Sequence, residues 1–152
     1  MIKFANIGDY KVAQNFGYLT TDVELKNGNI VTYNLATKKV ALPTTSTAKT
    51  SGLAIVFNAI VESGVGNTDD FVVKAGGYPR IFTLASLAGH LIDINDLTVA
   101  TAYGSLSVGD KLVANATGKL EKATDVSGYA EYFEIVEKTS FGGNGLRLVV
   151  RA

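Results

Sequence analysis

Residues 28–43, GNIVTYNLATKKVALP, and the apolar run Leu53-Ala54-Ile55-Val56-Phe57-Asn58-Ala59-Ile60-Val61 that follows them set the architecture. Asn27-Gly28 is a turn signal, Asn29 to Tyr33 reads as a strand, and Val40 to Leu42 predicts a second strand that Pro43 ends. Thr44 to Gly52 holds no bulky apolar residue and reads as a loop. Leu53 to Val61 is the most apolar run of the chain, and its β-branched and aromatic content predicts a central strand covered on both faces. The unit is strand, tight turn, strand, loop, strand.

Residues 109–136 repeat it. Gly28, Asn34, Ala36, Thr37, Lys39, Val40 and Thr44 correspond to Gly109, Asn115, Ala116, Thr117, Lys119, Leu120 and Thr124, with one residue fewer ahead of the second Ala-Thr. A Ser-Gly-x-Ala step, Ser51 to Ala54 and Ser127 to Ala130, is expected to open the third strand of each copy. In each, Asn and Gly supply the left-handed backbone that a tight hairpin turn requires.

Outward from these units the chain reads as further short strands. Phe71 to Lys74 and Arg80 to Thr83 flank Gly76-Gly77-Tyr78-Pro79 as a predicted hairpin, and Leu91 to Ile94, Leu97 to Ala102 and Leu146 to Arg151 complete the β set. Thr83 to Ala88, capped by Gly89, is the one predicted helix, barely two turns long. The fold class expected is mainly β: a small barrel or sandwich of short antiparallel strands, with one short helix near 83–89. Residues 1–25 have neither periodicity and are expected to form an N-terminal arm on a single domain spanning 26–152.

Composition narrows the function. The 152 residues balance 14 basic against 14 acidic side chains, with no like-charge run to bind nucleic acid or anionic lipid. Mean hydropathy is +0.20, yet no apolar run approaches the roughly 20 residues of a membrane span. With no cysteine there is no disulfide, thiolate metal site or cysteine nucleophile. His90, the single histidine, follows the helix-capping Gly89, and no serine sits in a Gly-x-Ser-x-Gly elbow. Asp69-Asp70 and Asp93-Ile94-Asn95-Asp96 offer hard oxygens but lack calcium-loop spacing, Gly64-Val65-Gly66 lacks the rest of a dinucleotide fingerprint, and Asn115-Ala116-Thr117 reads as turn chemistry. The chain is expected to be no enzyme and to need no cofactor. Four of its fourteen aromatics, Phe4, Tyr10, Phe16 and Tyr18, crowd the first 18 residues; they either pack the arm onto its own core or are interface residues. Tyr129, Tyr132 and Phe133 form a second cluster.

Ser107-Val108-Gly109-Asp110-Lys111-Leu112-Val113, Ala116-Thr117-Gly118-Lys119-Leu120, Gly128-Tyr129-Ala130 and the closing strand Leu146 to Arg151 resemble the C-terminal half of tailed-phage capsid decoration (cement) proteins. Phe71 to Gly76 and the unit ending at Pro43 are similar to the middle and first strands of that pattern. The resemblance implies a β-barrel, commonly a homotrimer, made in the host cytoplasm. It would sit on the outer capsid surface of the virion, its partners the major capsid protein and further copies of itself. A carbohydrate-binding or adhesin-like module, and another virion component such as a head-fibre or tail-tube subunit, remain open alternatives.

Overall fold

The computed structural model describes residues 1–6, 8–59 and 68–152. In chain order the strands are β1 (Ile2–Phe4), β2 (Asn15–Phe16), β3 (Thr20–Thr21), β4 (Leu25–Lys26), β5 (Ile30–Asn34), β6 (Lys39–Ala41) and β7 (Leu53–Val56). There follow β8 (Val72–Val73), β9 (Ile81–Thr83), β10 (Leu91–Asn95), β11 (Lys111–Ala114), β12 (Leu120–Ala123), β13 (Tyr132–Thr139) and β14 (Gly145–Arg151). They form two six-stranded sheets, β2-β9-β7-β5-β6-β3 and β1-β10-β14-β13-β11-β12, and a two-stranded ribbon β4-β8. The chain is mainly β and sandwich-like.

Side-chain alternation produces the layers. Ile30, Leu53, Ile55 and Phe82 point from the first sheet into a shared core with Ile92, Ile94, Leu112, Phe133, Ile135, Leu146, Leu148 and Val150 of the second. Their neighbours Val31, Ala54, Val56 and Ile81 point the other way, into a satellite core closed by Leu19, Leu25 and Val73. Each large apolar side chain removed from water contributes about 1.5–3 kcal/mol, so these two layers dominate the exposed ion pairs, worth about 0–1 kcal/mol each. All four residues of β7 are buried, as expected of a strand covered on both faces. The strand ends at Val56, and Ile60 and Val61 lie outside the described residues.

The satellite core explains one departure from expectation. Phe71–Lys74 and Arg80–Thr83 do not form a hairpin, because Val72 and Val73 pair with Lys26 and Leu25 to roof the outer face of the first sheet. The predicted helix at Thr83–Ala88 is a single 3-10 turn, Ala85–Leu87. The chain needs only that turn to cross from β9 in one sheet to β10 in the other. Leu97–Ala102 is not a strand: Asp96–Thr98 turns in 3-10 form, and Val99 touches Leu120 through one isolated parallel bridge.

Residues 1–25 do not stand away as an arm. β1 pairs with β10, β2 with β9 and β3 with β6, and the one α-helix among the described residues, α1 (Asp9–Val12), lies between β1 and β2. These strands are two or three residues long, too short for either periodicity to register. Burial of Ile2, Phe4, Ala13 and Leu19 holds the segment in place.

The internal echo is architectural. Taken in chain order, β2, β5, β6, β7 and β9 lie in the spatial order first, fifth, fourth, second, third, and β10, β11, β12, β13 and β14 lie in the same order. Gly28 N–H donates to the Val56 carbonyl and Val56 N–H to Asn29, while Gly109 N–H donates to Ile135 and Ile135 N–H to Asp110. Asn34 Oδ1 accepts from the backbone of Ala36 and Thr37, as Asn115 Oδ1 does from Thr117 and Lys119. The Ser-Gly-x-Ala step, by contrast, is not equivalent in the two copies. These bonds set Val56 against Ile135, which puts Leu53 opposite Tyr132 rather than Tyr129.

Residues 127–131 instead clamp the first unit. Ala130 N–H donates to the Lys49 carbonyl at 3.0 Å, and the buried Glu131 carboxylate accepts from Leu53 N–H at 2.7 Å. Burial pushes the Glu131 carboxyl above its usual range, with the Leu53 and Gly52 amides pulling the other way.

The two turns differ at one position. Lys38 in the first is left-handed at φ 56°, and Gly118 in the second at φ 72°. Gly118 O accepts from Ile30 N–H at 2.8 Å, tying the second hairpin to the first sheet. A β-carbon at Gly118 would lie 2.7 Å from Leu42 Cδ2 and 2.9 Å from the Ile30 carbonyl oxygen. We therefore expect Gly118→Ala to destabilise by about 2–3 kcal/mol in urea titrations. Lys38→Gly, at the matching but roomier position, should change stability by less than about 1 kcal/mol.

The Glu131 carboxyl gives a second expectation. Its folded pKa is raised, so its contribution is fully present below the ordinary glutamate pKa of about 4.3 and is lost as pH rises through the folded value. Urea midpoints at about pH 4 and about pH 7 should show wild type losing stability relative to Glu131→Gln as pH rises. A constant difference across that window would contradict the burial of the charge.

Candidate functional site

Packing at the junction of the two sheets builds an aromatic cluster. Phe4 of β1 lies 5.0 Å from Phe82 of β9, 5.5 Å from Phe57 just past β7, and 4.5 Å from Tyr10 of α1. Tilted and edge-on geometries place ring edges against ring faces, the arrangement the aromatic quadrupole favours. Phe4 is only 4% exposed and offers no surface to a partner. Of the two roles open to it, core packing and interface, the structure shows the core one, because β1 is the edge strand that closes this corner.

Outside that cluster lies a cleft of about 460 Å³ lined by Tyr10, Gly17, Phe57, Asn58, Ala59, Tyr78, Arg80 and Phe82. An asparagine clasp fixes its floor. Asn58 N–H and Nδ2 donate to Asn27 Oδ1, Asn27 Nδ2 donates to the Asn58 carbonyl, and Asn58 Oδ1 accepts from Arg80 N–H at 2.8 Å. Phe57 N–H in turn donates to the Arg80 carbonyl. Tyr78 is 64% exposed on one wall and Tyr10 38% on another. Burial pushes the Tyr10 phenol above its usual range, while its bond from Phe4 N–H opposes that shift.

Of the four aromatic candidates, the structure brings Phe4 and Tyr10 together here. It brings Phe16 and Tyr18 to each other, 6.0 Å apart, with Phe16 also 5.4 Å from Tyr33 over the satellite core. Tyr18 is 53% exposed, and Gly17 between the two rings lines the cleft, so the groups adjoin. Phe57, Tyr78 and Arg80 were missed as site residues. Of the three only Tyr78 left a signal, a large tyrosine standing among the turn residues Gly76, Gly77 and Pro79.

Of the acidic candidates, Asp69, Asp93 and Asp96 are engaged with the protein's own cations and amides, and Asp70 stands exposed at the end of a 3-10 turn. Asp69 pairs with the Met1 ammonium and accepts from Asn95 Nδ2, and Asp96 accepts from Asn144 Nδ2. Buried Asp93 receives the Arg147 fork at 2.8 and 3.1 Å, with Lys3 at 3.4 Å. His90 Nδ1 lies 2.9 Å from Asp9 Oδ1, a contact that straps α1 to the start of β10. Among the described residues no group of three or more His, Asp or Glu side chains is gathered as a metal site. Gly64-Val65-Gly66 lies outside the described residues. Tyr129 and Tyr132 carry Lys49 and Lys111 over their rings, and Phe133 is buried in the main core.

No protein-family model matches the chain, and no curated protein matches it.

The division between core and cleft is testable by mutation. Phe4→Ala should cost about 3–5 kcal/mol of folding stability, the scale for a buried phenylalanine. Tyr78→Ala, at an exposed wall, should change it by less than about 0.5 kcal/mol. Urea denaturation of both variants measures the contrast, and equal losses would remove the assignment.

Proposed function

We propose that this protein is a capsid decoration protein of a tailed phage: a homotrimer on the outer surface of the head that bridges major capsid subunits and stabilises the shell. The observation that carries the reading is the motif in residues 107–120. Its residues build one hairpin: Ser107 N–H donates to Asp110 Oδ2, Asp110 pairs with Lys122 of β12 at 2.7 Å, and Gly109 N–H bonds β13. The bonds from Lys122 and from Ser107 N–H hold the Asp110 carboxyl below its usual range.

The surface supports binding rather than chemistry. A neutral chain with exposed Tyr10, Tyr18 and Tyr78 offers large, stiff contact area and no field that selects a polyanion. Weak contacts to individual capsid subunits add through multivalency, since the lattice holds its sites at fixed spacing. A protein that binds only the assembled, expanded shell shifts the equilibrium toward it by mass action.

Co-sedimentation of purified protein with decoration-free phage heads tests the reading, with light scattering to give the mass of the free protein. Saturable binding to expanded heads and a raised melting temperature of the heads are the expected results. Heads that neither take up the protein nor gain stability would overturn it.

A further inference from the structure

Arg80 differs from the two other arginines of the chain, Arg147 and Arg151. Arg147 is paired with Asp93 and Glu137, and Arg151 with Glu134. No described carboxylate pairs with the Arg80 guanidinium. Its backbone is nevertheless fixed at both ends of the residue, N–H to Asn58 Oδ1 and carbonyl to Phe57 N–H. A β-carbon at Gly17 would lie 3.9 Å from both Nε and Nη2, so the guanidinium lies along a stretch of backbone that lacks a side chain. Among the described residues, Arg80 is the one cation lining the cleft, and no acid lines it.

The walls limit what can enter. Tyr10, Phe57, Tyr78 and Phe82 are rings, and the side-chain amide of Asn58 is already engaged by Asn27 and Arg80. Among the described side chains of the lining, those with polar capacity left are the Arg80 fork and the Tyr10 and Tyr78 hydroxyls. An apolar or aromatic side chain fills such a volume, and a planar guanidinium grips a carboxylate through two parallel N–H bonds.

We propose that the Tyr10–Tyr78–Arg80 cleft docks a short peptide segment that presents an apolar side chain beside a carboxylate. The ring enters between Tyr10 and Tyr78 over Phe57, and the carboxylate meets the Arg80 guanidinium. This rests on the decoration reading only for the source of the segment, which would be a capsid subunit.

The experiment is a two-dimensional NMR titration of the full chain with three probes: N-acetyl-phenylalanine, its uncharged amide, and glucuronic acid. N-acetyl-phenylalanine should give saturable shifts at the amides of Gly17, Asn58, Tyr78 and Arg80, with a dissociation constant on the order of a millimolar for so small a ligand. The amide should bind at least about fivefold more weakly, and Arg80→Gln should lose the difference between acid and amide. Tyr78→Ala should weaken both. Absent shifts, equal binding of acid and amide to wild type, or tighter binding of glucuronic acid would each overturn the proposal, the last by giving the cleft to acidic sugars. A protein that binds N-acetyl-phenylalanine but not heads keeps this inference and loses the decoration reading; the converse result does the reverse.

Discussion

Four residues, Leu53 to Val56, have no side turned to water, and that constraint organises the molecule. A strand apolar on both faces must be covered twice. Leu53 and Ile55 are covered by the second sheet, Ala54 and Val56 by the ribbon β4-β8 and the chain around Leu19. Everything peripheral follows from the second covering. The segment 18–26 crosses the outer face of the first sheet instead of extending as an arm, and Val72-Val73 leaves its sequence neighbours to complete the roof.

The duplicated strand order makes the contrast between the two sheets informative. The outer face of the first carries a satellite core, whereas that of the second carries Lys3, Asp93, Arg147, Glu137, Glu134 and Arg151 in paired rows. One repeat has used its outer face for burial, the other for solvation. The aromatic cleft forms where they meet, because β1, an edge strand outside the repeated order, brings Phe4 against Phe57 and Phe82.

Much of the fold was legible because it is written in local chemistry. Asn-Gly and Asn-x-Thr turns, the β-branched and aromatic stretch Ile30 to Tyr33 and the run at Leu53 each depend on neighbours in sequence. The repeat was legible for the same reason, down to the matching of Val40 with Leu120. What was not legible depends on distant partners. Val72 and Val73 form a ribbon with Leu25 and Lys26, which no pattern in 71–83 encodes. Phe4 and Tyr10 stood out as aromatic residues, but whether a ring faces solvent or a neighbouring sheet depends on where β10 lies. Arg80 gave no signal at all, since its interest lies in what fails to pair with it.

The identical strand orders also bear on how the chain acquires its shape during synthesis. Every strand of the first five-stranded set lies within residues 15–83, so its hydrogen-bond ladder can close once that much chain has emerged. Its inner face, however, meets the completed second sheet only once β14, Gly145–Arg151, has paired with both β10 and β13. A half-built molecule therefore carries a partly uncovered apolar sheet until the second sheet is made, the circumstance in which nascent chains stick to one another or engage chaperones. Placing the charged rows on the later sheet leaves the earlier one to be shielded by its own N-terminal wrapping, so the roof over Val31 and Ala54 guards one side of the intermediate before the sandwich exists.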